Sequence, residues 1–379
     1  MTMNTLRLAR APLAAFAAMG VCWGTFAADL PDIMTMLRVD ESQLGQLLIM
    51  TPIAAILSML AAPRISRALG RVALPVMTLA MALAFALPGQ TTVWWVFPVA
   101  MLAAGATTGA VDVLMNARAT MVEAAAARPL MNLCHAAYSF GYAGGAVLTG
   151  VLRSQGQPPA VVMAAMAGLA ALIALAALER DGRIDGLNRP PPGQSAHLGL
   201  IPVIGGAIVL IAFLTENAAE YWSALHIEQT LGGSPAFGSA APAILALTMG
   251  VARLVGQRLS DRVRGLHLLM GGALISVVGA LTVAGATSPA MAYAGFIVMG
   301  LGSSVIAPTA FTLVGQNAEP AARARAVARA TLLGYLGYFV GPPMLGFIAG
   351  GYGLRAAFLF AALILCLIWV LAPLLTRRI

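Results

Sequence analysis

Charge is what this sequence has least of. Only 9% of its 379 residues are Asp, Glu, Lys or Arg, and lysine is absent altogether. A soluble domain carries about 25% charged residues. A chain this poor in charge, 60% hydrophobic and with a mean hydropathy of +0.87, is an integral membrane protein. Cysteine is scarce too: Cys22, Cys134 and Cys366 lie inside apolar runs at no metal-ligand spacing. They read as small core residues, and neither a disulfide nor a metal site is expected. No glycine run follows a strand and no Walker sequence occurs, so an ATP-driven pump is not supported. Neither a cofactor nor an enzymatic activity is expected.

What is present is a series of long apolar runs. They fall at roughly 11–30, 43–63, 72–88, 92–116, 131–152, 158–178, 199–222, 237–257, 266–285, 289–316, 326–350 and 354–375, about twelve spans of near-bilayer length. Lipid admits only helix bundles and closed barrels, and barrel strands would show short alternating segments instead. The chain is therefore an all-α membrane protein. Its first run, Ala11 to Leu30, lacks a convincing small-residue cleavage site and reads as a retained helix.

The formal charge of +8 is explained by topology rather than by nucleic acid, because most arginines sit in short loops between spans. Arg7, Arg10, Arg64, Arg67, Arg71, Arg118, Arg128, Arg180, Arg183, Arg189, Arg258, Arg262, Arg264, Arg323, Arg325, Arg329, Arg377 and Arg378 all share one side if the N-terminus is cytoplasmic. Arg38, Arg153 and Arg355 fall near the other side, with Asp29, Asp32, Asp40, Glu41 and Glu228. Both termini are expected inside, in a bacterial inner membrane.

Glu179 to His197 is the longest polar segment and is rich in proline and glycine, which makes it a linker. The expected division is 1–178, linker 179–198, and 199–379. The two parts repeat. Gly141-Tyr142-x-x-Gly145-x-x-x-x-Gly150 recurs as Gly337-Tyr338-x-x-Gly341-x-x-x-x-Gly346, Arg64-Ile65-Ser66-Arg67 as Arg258-Leu259-Ser260-Asp261, and Phe26-x-x-Asp29 as Phe213-x-x-Glu216. Two six-helix halves with a site between them is the plan of secondary transporters.

The polar residues inside spans are the candidate site. Asp112 and Asn116 are four apart and share a face of span four. Across the Arg118/Arg128 hairpin, Asn132 and His135 open span five, and His135 is expected at a depth similar to Asp112. An ionisable group in the bilayer belongs in a bundle interior or a wet cavity. Burial disfavours a charged carboxylate, so Asp112 can take and release a proton as its cavity alternates between dry and wet. His135 can bind a substrate hydroxyl or the Asp112 anion; a packed polar pair holding two helices together is the alternative. Glu216 and Glu220, expected near the outer third of span seven, and Asp29 and Asp32 in the equivalent part of span one form an acidic ring suited to cations or sugar hydroxyls. Asp32 and Glu220 read equally well as solvated helix ends. Arg253 either snorkels or pairs with a carboxylate. Tyr138, Trp222, Tyr335 and Tyr338 could stack on a sugar ring, whereas Trp94 and Trp95 read as interfacial belt residues.

With these residues in view the chain resembles the major facilitator superfamily along essentially its whole length. That resemblance implies twelve transmembrane helices in two pseudosymmetric six-helix bundles, the major facilitator fold. Its loop signature after span two is degenerate here, Pro63-Arg64-Ile65-Ser66-Arg67-Ala68-Leu69-Gly70-Arg71, with Arg67 where an acid usually stands. The second copy keeps Asp261-Arg262, which in the family's pattern helps lock the cytoplasmic ends of the halves; Arg67 and Arg253, read from their own positions, are expected to take part in gating with them. Trp23-Gly24, Asp29-Leu30-Pro31-Asp32-Ile33, Asp112-x-x-x-Asn116 and Asn132-Leu133-x-His135-x-x-Tyr138 resemble the fucose/proton symporter branch. There the acids at the Asp32 and Asp112 positions handle protons and bind substrate, and a Gln replaces His135. Glu216-x-x-x-Glu220-x-Trp222-Ser223 and Gly334-Tyr335-Leu336-Gly337-Tyr338 resemble a bacterial inner-membrane group of unassigned substrate. The expected function is proton-coupled alternating-access transport of a small polar, sugar-like solute by a monomer whose partners are that solute, protons and the lipid bilayer. The alternatives are an exporter of amphipathic compounds and a non-transporting sensor or scaffold.

Overall fold

The computed structural model describes residues 8–126, 130–184, 198–260, 263–319 and 323–376. Among them all regular structure is helical. The expected spans appear in order as α1 (Arg10–Leu37), α2 (Glu41–Leu47 and Met50–Leu69), α3 (Ala73–Ala84), α4 (Phe97–Ala126), α5 (Met131–Ser154) and α6 (Pro159–Leu175). They continue as α7 (Ile201–Leu225), α8 (Pro235–Ser260), α9 (Gly265–Ala284), α10 (Pro289–Asn317), α11 (Arg323–Tyr352) and α12 (Leu354–Cys366 and Ile368–Thr376). Nine helical stretches among the described residues are long and apolar enough to cross a membrane, one of them the stretch 41–90 that holds both α2 and α3. The shorter apolar α6 and the more polar 24-residue α5 complete the set.

Several helices outrun their apolar runs. The first expected run stops at 30, yet α1 continues through Pro31 to Leu37. Likewise α7 passes into a π-helical turn, His226–Thr230, where fully buried His226 sets Nε2 3.1 Å from the Val283 carbonyl. Both extensions move charged residues from the expected helix ends into helix interiors. Leu57, Leu83, Leu172, Phe347 and Leu363 are exposed. Apolar side chains spread over so many helices form a lipid-facing surface rather than a patch.

The helices gather into two compact units. One comprises Met1–Asp40, Leu47–Arg189 and Ser234–Gly250; the other comprises Glu41–Gln46, Pro190–Gly233 and Val251–Ile379. In the first, α1 and α5 pack backbone to backbone. A Cβ at Gly20 or Gly24 would collide with the Tyr138 or Tyr142 carbonyl, and one at Gly141 or Gly145 with the Ala17 or Val21 carbonyl. The repeated motif does the same in the second unit, where Gly337 lies against the Leu210 carbonyl of α7 and Gly334 against Val209. Small residues at such seams permit the close approach that dispersion requires in lipid.

The third glycine of the motif serves another neighbour. Gly150 faces Ser239 of α8, where an added Cβ would sit 2.8 Å from the Ser239 Cβ. Farther along the same two helices Gly250 faces Ser139. In the second unit Gly346 faces the Glu41 carbonyl of α2, and Gly45 the Pro342 carbonyl of α11. Each unit thus includes a short piece of α2 or α8 from the other half of the sequence.

Gly24→Ala should destabilise the protein by about 1–3 kcal/mol, because the obstacle is backbone and cannot move aside as a side chain would. Gly144→Ala is the control, since a Cβ there meets nothing. Thermal midpoints of the two purified variants in detergent check this; equal midpoints would refute the tight seam.

At the arginine-bearing ends, Arg118 Nε bonds Glu179 at 2.9 Å, and its other nitrogens donate to the carbonyls of Asp181 and Arg183. Glu123 Oε2 accepts from the backbone N–H groups of Leu130 and Met131 at 2.7 and 2.8 Å. It thereby satisfies N–H groups at the α5 start that have no partner within the helix. Arg128 and residues 185–197 of the expected linker lie outside the described residues.

Candidate functional site

In the first unit the site begins with Arg153, next to last in α5. Its side chain is wholly buried. Nε and Nη2 donate to Asp32 Oδ2 and Oδ1 at 2.8 and 2.7 Å, a bidentate fork. Asp29, also wholly buried, has Oδ1 at 3.7 Å from Nε. The remaining nitrogen, Nη1, donates to the Ala28 carbonyl at 2.8 Å and to Ser239 Oγ at 3.1 Å. Asp32 is therefore held in a fork rather than standing as a solvated helix end, because α1 continues a further five residues past it. Arg153 was placed by sequence among the few arginines of the far side. Its signal was its position three residues after the third motif glycine.

Asp112 lies near the middle of α4. Asn116 Nδ2 donates both to the Asp112 carbonyl, at 2.8 Å, and to Asp112 Oδ1, at 3.1 Å. On α5, Asn132, His135 and Tyr138 form a part-exposed stripe at spacing three. The His135 ring meets Phe16 of α1 edge-on at 5.0 Å. The expected depth match between Asp112 and His135 fails. Because α4 runs two turns beyond Arg118, Asp112 lies about 21 Å from its end, whereas His135 lies about 6 Å into α5 at a rise of about 1.5 Å per residue. The helices also take other neighbours: α5 lies along α1, and α4 sets Gly105 and Gly109 against Thr51 and Ala55 of α2.

In the second unit, Phe213, Glu216 and Glu220 occupy one part-exposed stripe of α7. Glu216 was expected in the outer third of its span; with the π turn included, it stands at the middle of 201–230. Its Oε1 accepts from Arg253 Nη2 at 3.3 Å, and the two side chains are 11% and 21% exposed. Of the two options for Arg253, the pair is formed and the snorkel is not. Phe213 stacks on Tyr338 with centroids 4.7 Å apart and meets Tyr335 edge-on at 5.8 Å. Trp222 is fully buried and presents no open ring face. Arg67 is exposed near the end of α2; Asp261 and Arg262 lie outside the described residues.

Two features recur, then: carboxylates inside helices, paired with arginine or asparagine, and aromatic rings beside them. A charge within the bilayer is costly, and such residues gather where a path for ions or polar solutes needs them.

Comparison with known proteins agrees with this plan. The family described as Major Facilitator Superfamily matches residues 205–379. An uncharacterized MFS-type transporter of Yersinia pestis is 31% identical over 369 residues, covering 96% of this chain and 94% of that protein. The solved nucleoside transporter NupG superimposes with a TM-score of 0.79 at 14% identity, over 99% of this chain and 100% of that one. A D-xylose-proton symporter gives a TM-score of 0.72 at 15% identity, over 100% and 98%. The structural likenesses establish the fold. Taken with the near-complete match to the Yersinia relative, they leave one assignment: this chain belongs to the Major Facilitator Superfamily of membrane transporters.

Proposed function

We propose that the protein moves a small, hydroxyl-bearing polar solute across a bacterial inner membrane by alternating access, coupled to protons. The observation that carries this reading is the pair of Glu216, at the middle of α7, with Arg253 of α8: Glu216 shares an α7 stripe with Glu220 and Phe213, and the rings of Tyr335 and Tyr338 of α11 pack on Phe213. Carboxylates bind hydroxyls through charge-assisted hydrogen bonds, and aromatic faces cover the apolar side of a sugar ring. NupG and the D-xylose-proton symporter, by their names, carry solutes that contain a sugar, which supports the same class.

In this reading Asp112 carries the coupling proton, Asp29, Asp32 and Glu216 are further proton-handling groups, and Asn116, Asn132, His135 and Tyr138 bind solute. Both termini are cytoplasmic, the halves 1–178 and 199–379 move as bodies about the linker 179–198, and the monomer suffices. Arg67, with Asp261 and Arg262, controls closure at the cytoplasmic ends.

An uptake screen in proteoliposomes with an imposed pH gradient tests the proposal, using D-xylose, other sugars, polyols, uridine, amino acids and cationic drugs. We expect a hydroxyl-rich solute to accumulate and a protonophore to abolish the accumulation. Accumulation of amphipathic cations alone, or of nothing, would overturn the reading.

A further inference from the structure

Three arginines from two distant segments are brought together at the arginine-bearing end of the first unit. Arg71 stands in the 3₁₀ turn Gly70–Val72 between α2 and α3, and Arg180 and Arg183 follow α6. The backbone that carries the last two is fixed by Arg118, which holds Glu179 and the carbonyls of Asp181 and Arg183. Just before them, Arg10 Nη2 donates to the Leu178 carbonyl. Gly182 completes the approach, since a Cβ there would sit 2.5 Å from the Arg71 carbonyl. The side chains of Arg71, Arg180 and Arg183 are exposed, and none is held by an ion pair with a described residue. Of the carboxylates within 61–72 and 176–184, Glu179 is taken by Arg118 and only Asp181 is left.

Exposed apolar stripes run away from these arginines. Val72, Val76, Leu79 and Leu83 are 37–60% exposed. Their spacing of three and four puts them on one face of α3, in a stripe that starts at Arg71. Leu172, Leu175 and Leu178, 50–66% exposed, continue down α6 and the turn after it and stop short of Arg180. The two helices run antiparallel and meet at both ends. Gly182 faces Arg71 at one; at the other, Gln90 Nε2 donates to the Ala160 carbonyl at 2.9 Å and Gly89 lies against the Pro159 carbonyl. Topology accounts for arginines at this end of a span. It does not account for guanidiniums from separate segments gathered at the foot of two lipid-facing stripes.

We infer that Arg71, Arg180 and Arg183 bind the phosphodiester headgroup of an anionic phospholipid whose acyl chains lie along the α3 and α6 stripes. A guanidinium presents parallel N–H donors that match two phosphate oxygens. Each arginine near a membrane surface adds about fivefold to the affinity for an anionic lipid. A free phosphate would meet the same charge and leave the stripes unused, so the lipid is the occupant that both features fit. The bound headgroup bridges the turn between α2 and α3 to Arg180 and Arg183. It thereby adds a second tie to the one Arg118 makes between the start of the linker and the first unit. In the orientation proposed above, this lipid belongs to the cytoplasmic leaflet. The site does not depend on which solute is carried.

The test is native mass spectrometry of the full chain, released from detergent micelles with one lipid added at a time. Dioleoyl phosphatidylglycerol should bind about tenfold or more tightly than dioleoyl phosphatidylcholine, which has the same chains and no net charge. Arg71→Gln, Arg180→Gln and Arg183→Gln together should bring the two lipids within about twofold of each other. Arg264→Gln, Arg323→Gln and Arg329→Gln together remove three equally exposed arginines of the second unit and should leave the preference in place. Gly182→Ala changes no charge. By pushing Arg180 and Arg183 away from Arg71 it should weaken phosphatidylglycerol binding about fivefold, the loss of one arginine contact. Glycerol 3-phosphate, which has the phosphate but no acyl chains, should not displace the lipid at equal concentration; displacement would mean a soluble-anion site and overturn the lipid assignment. Equal binding of the two lipids by the parent, an equal loss in both triple variants, or an unmoved Gly182→Ala would each reduce the preference to the general charge of that membrane face and overturn the site.

Discussion

Asp112→Asn should abolish pH-gradient-driven accumulation while leaving exchange of labelled for unlabelled solute intact. One unit of pH gradient is worth about 1.4 kcal/mol, so a neutral solute moving with one proton accumulates about tenfold. Asparagine keeps the size of aspartate and an oxygen to accept from Asn116, which now bonds Asp112 Oδ1 at 3.1 Å. It cannot take up a proton. Accumulation in the variant should therefore fall to about onefold, the level set by equilibration alone, with affinity changed far less. Accumulation equal to the parent's would remove Asp112 from coupling and turn attention to Asp29, Asp32 or Glu216.

Arg253→Leu carries the second large effect. It leaves Glu216, 11% exposed, without its guanidinium. Removing one partner of a buried pair costs about 3–5 kcal/mol, mostly because the other charge stays buried and unpaired. The lower end applies, since both side chains keep some contact with solvent. Thermal stability should drop accordingly. Adding Glu216→Gln should restore much of it, because the stranded charge is gone, and the cycle should show coupling above about 1 kcal/mol. Transport should not return, since the glutamate is itself part of the proposed site. Additive losses in the cycle would mean that the pair, despite its 3.3 Å distance, contributes nothing as a pair.

The helices and their order were legible because lipid forces long apolar runs, and such runs survive one-dimensional reading. The repeat was legible as well, and its glycines turned out to mark seams: Gly141 and Gly145 on α1, Gly337 on α7. Depth was not. Hydropathy ends a span where charge begins, yet α1 carries Asp29 and Asp32 well inside its helix because Arg153, more than 120 residues away, offsets them. The same reasoning misplaced Glu216 toward the outer end and matched Asp112 with His135 by their distance from Arg118, a residue that proves to lie inside α4 rather than at its end. Which arginine meets which acid depends on helix neighbours, and α1 lies against α5 and α7 against α11 rather than against the next helix in sequence.

The most direct test of proton-coupled transport is proton movement on solute addition. Proteoliposomes of the parent, with no imposed gradient and a pH dye outside, should show the medium turn alkaline when the solute found in the uptake screen is added, and Asp112→Asn should show no such change. Solute entry by the parent without any change in external pH would contradict the account.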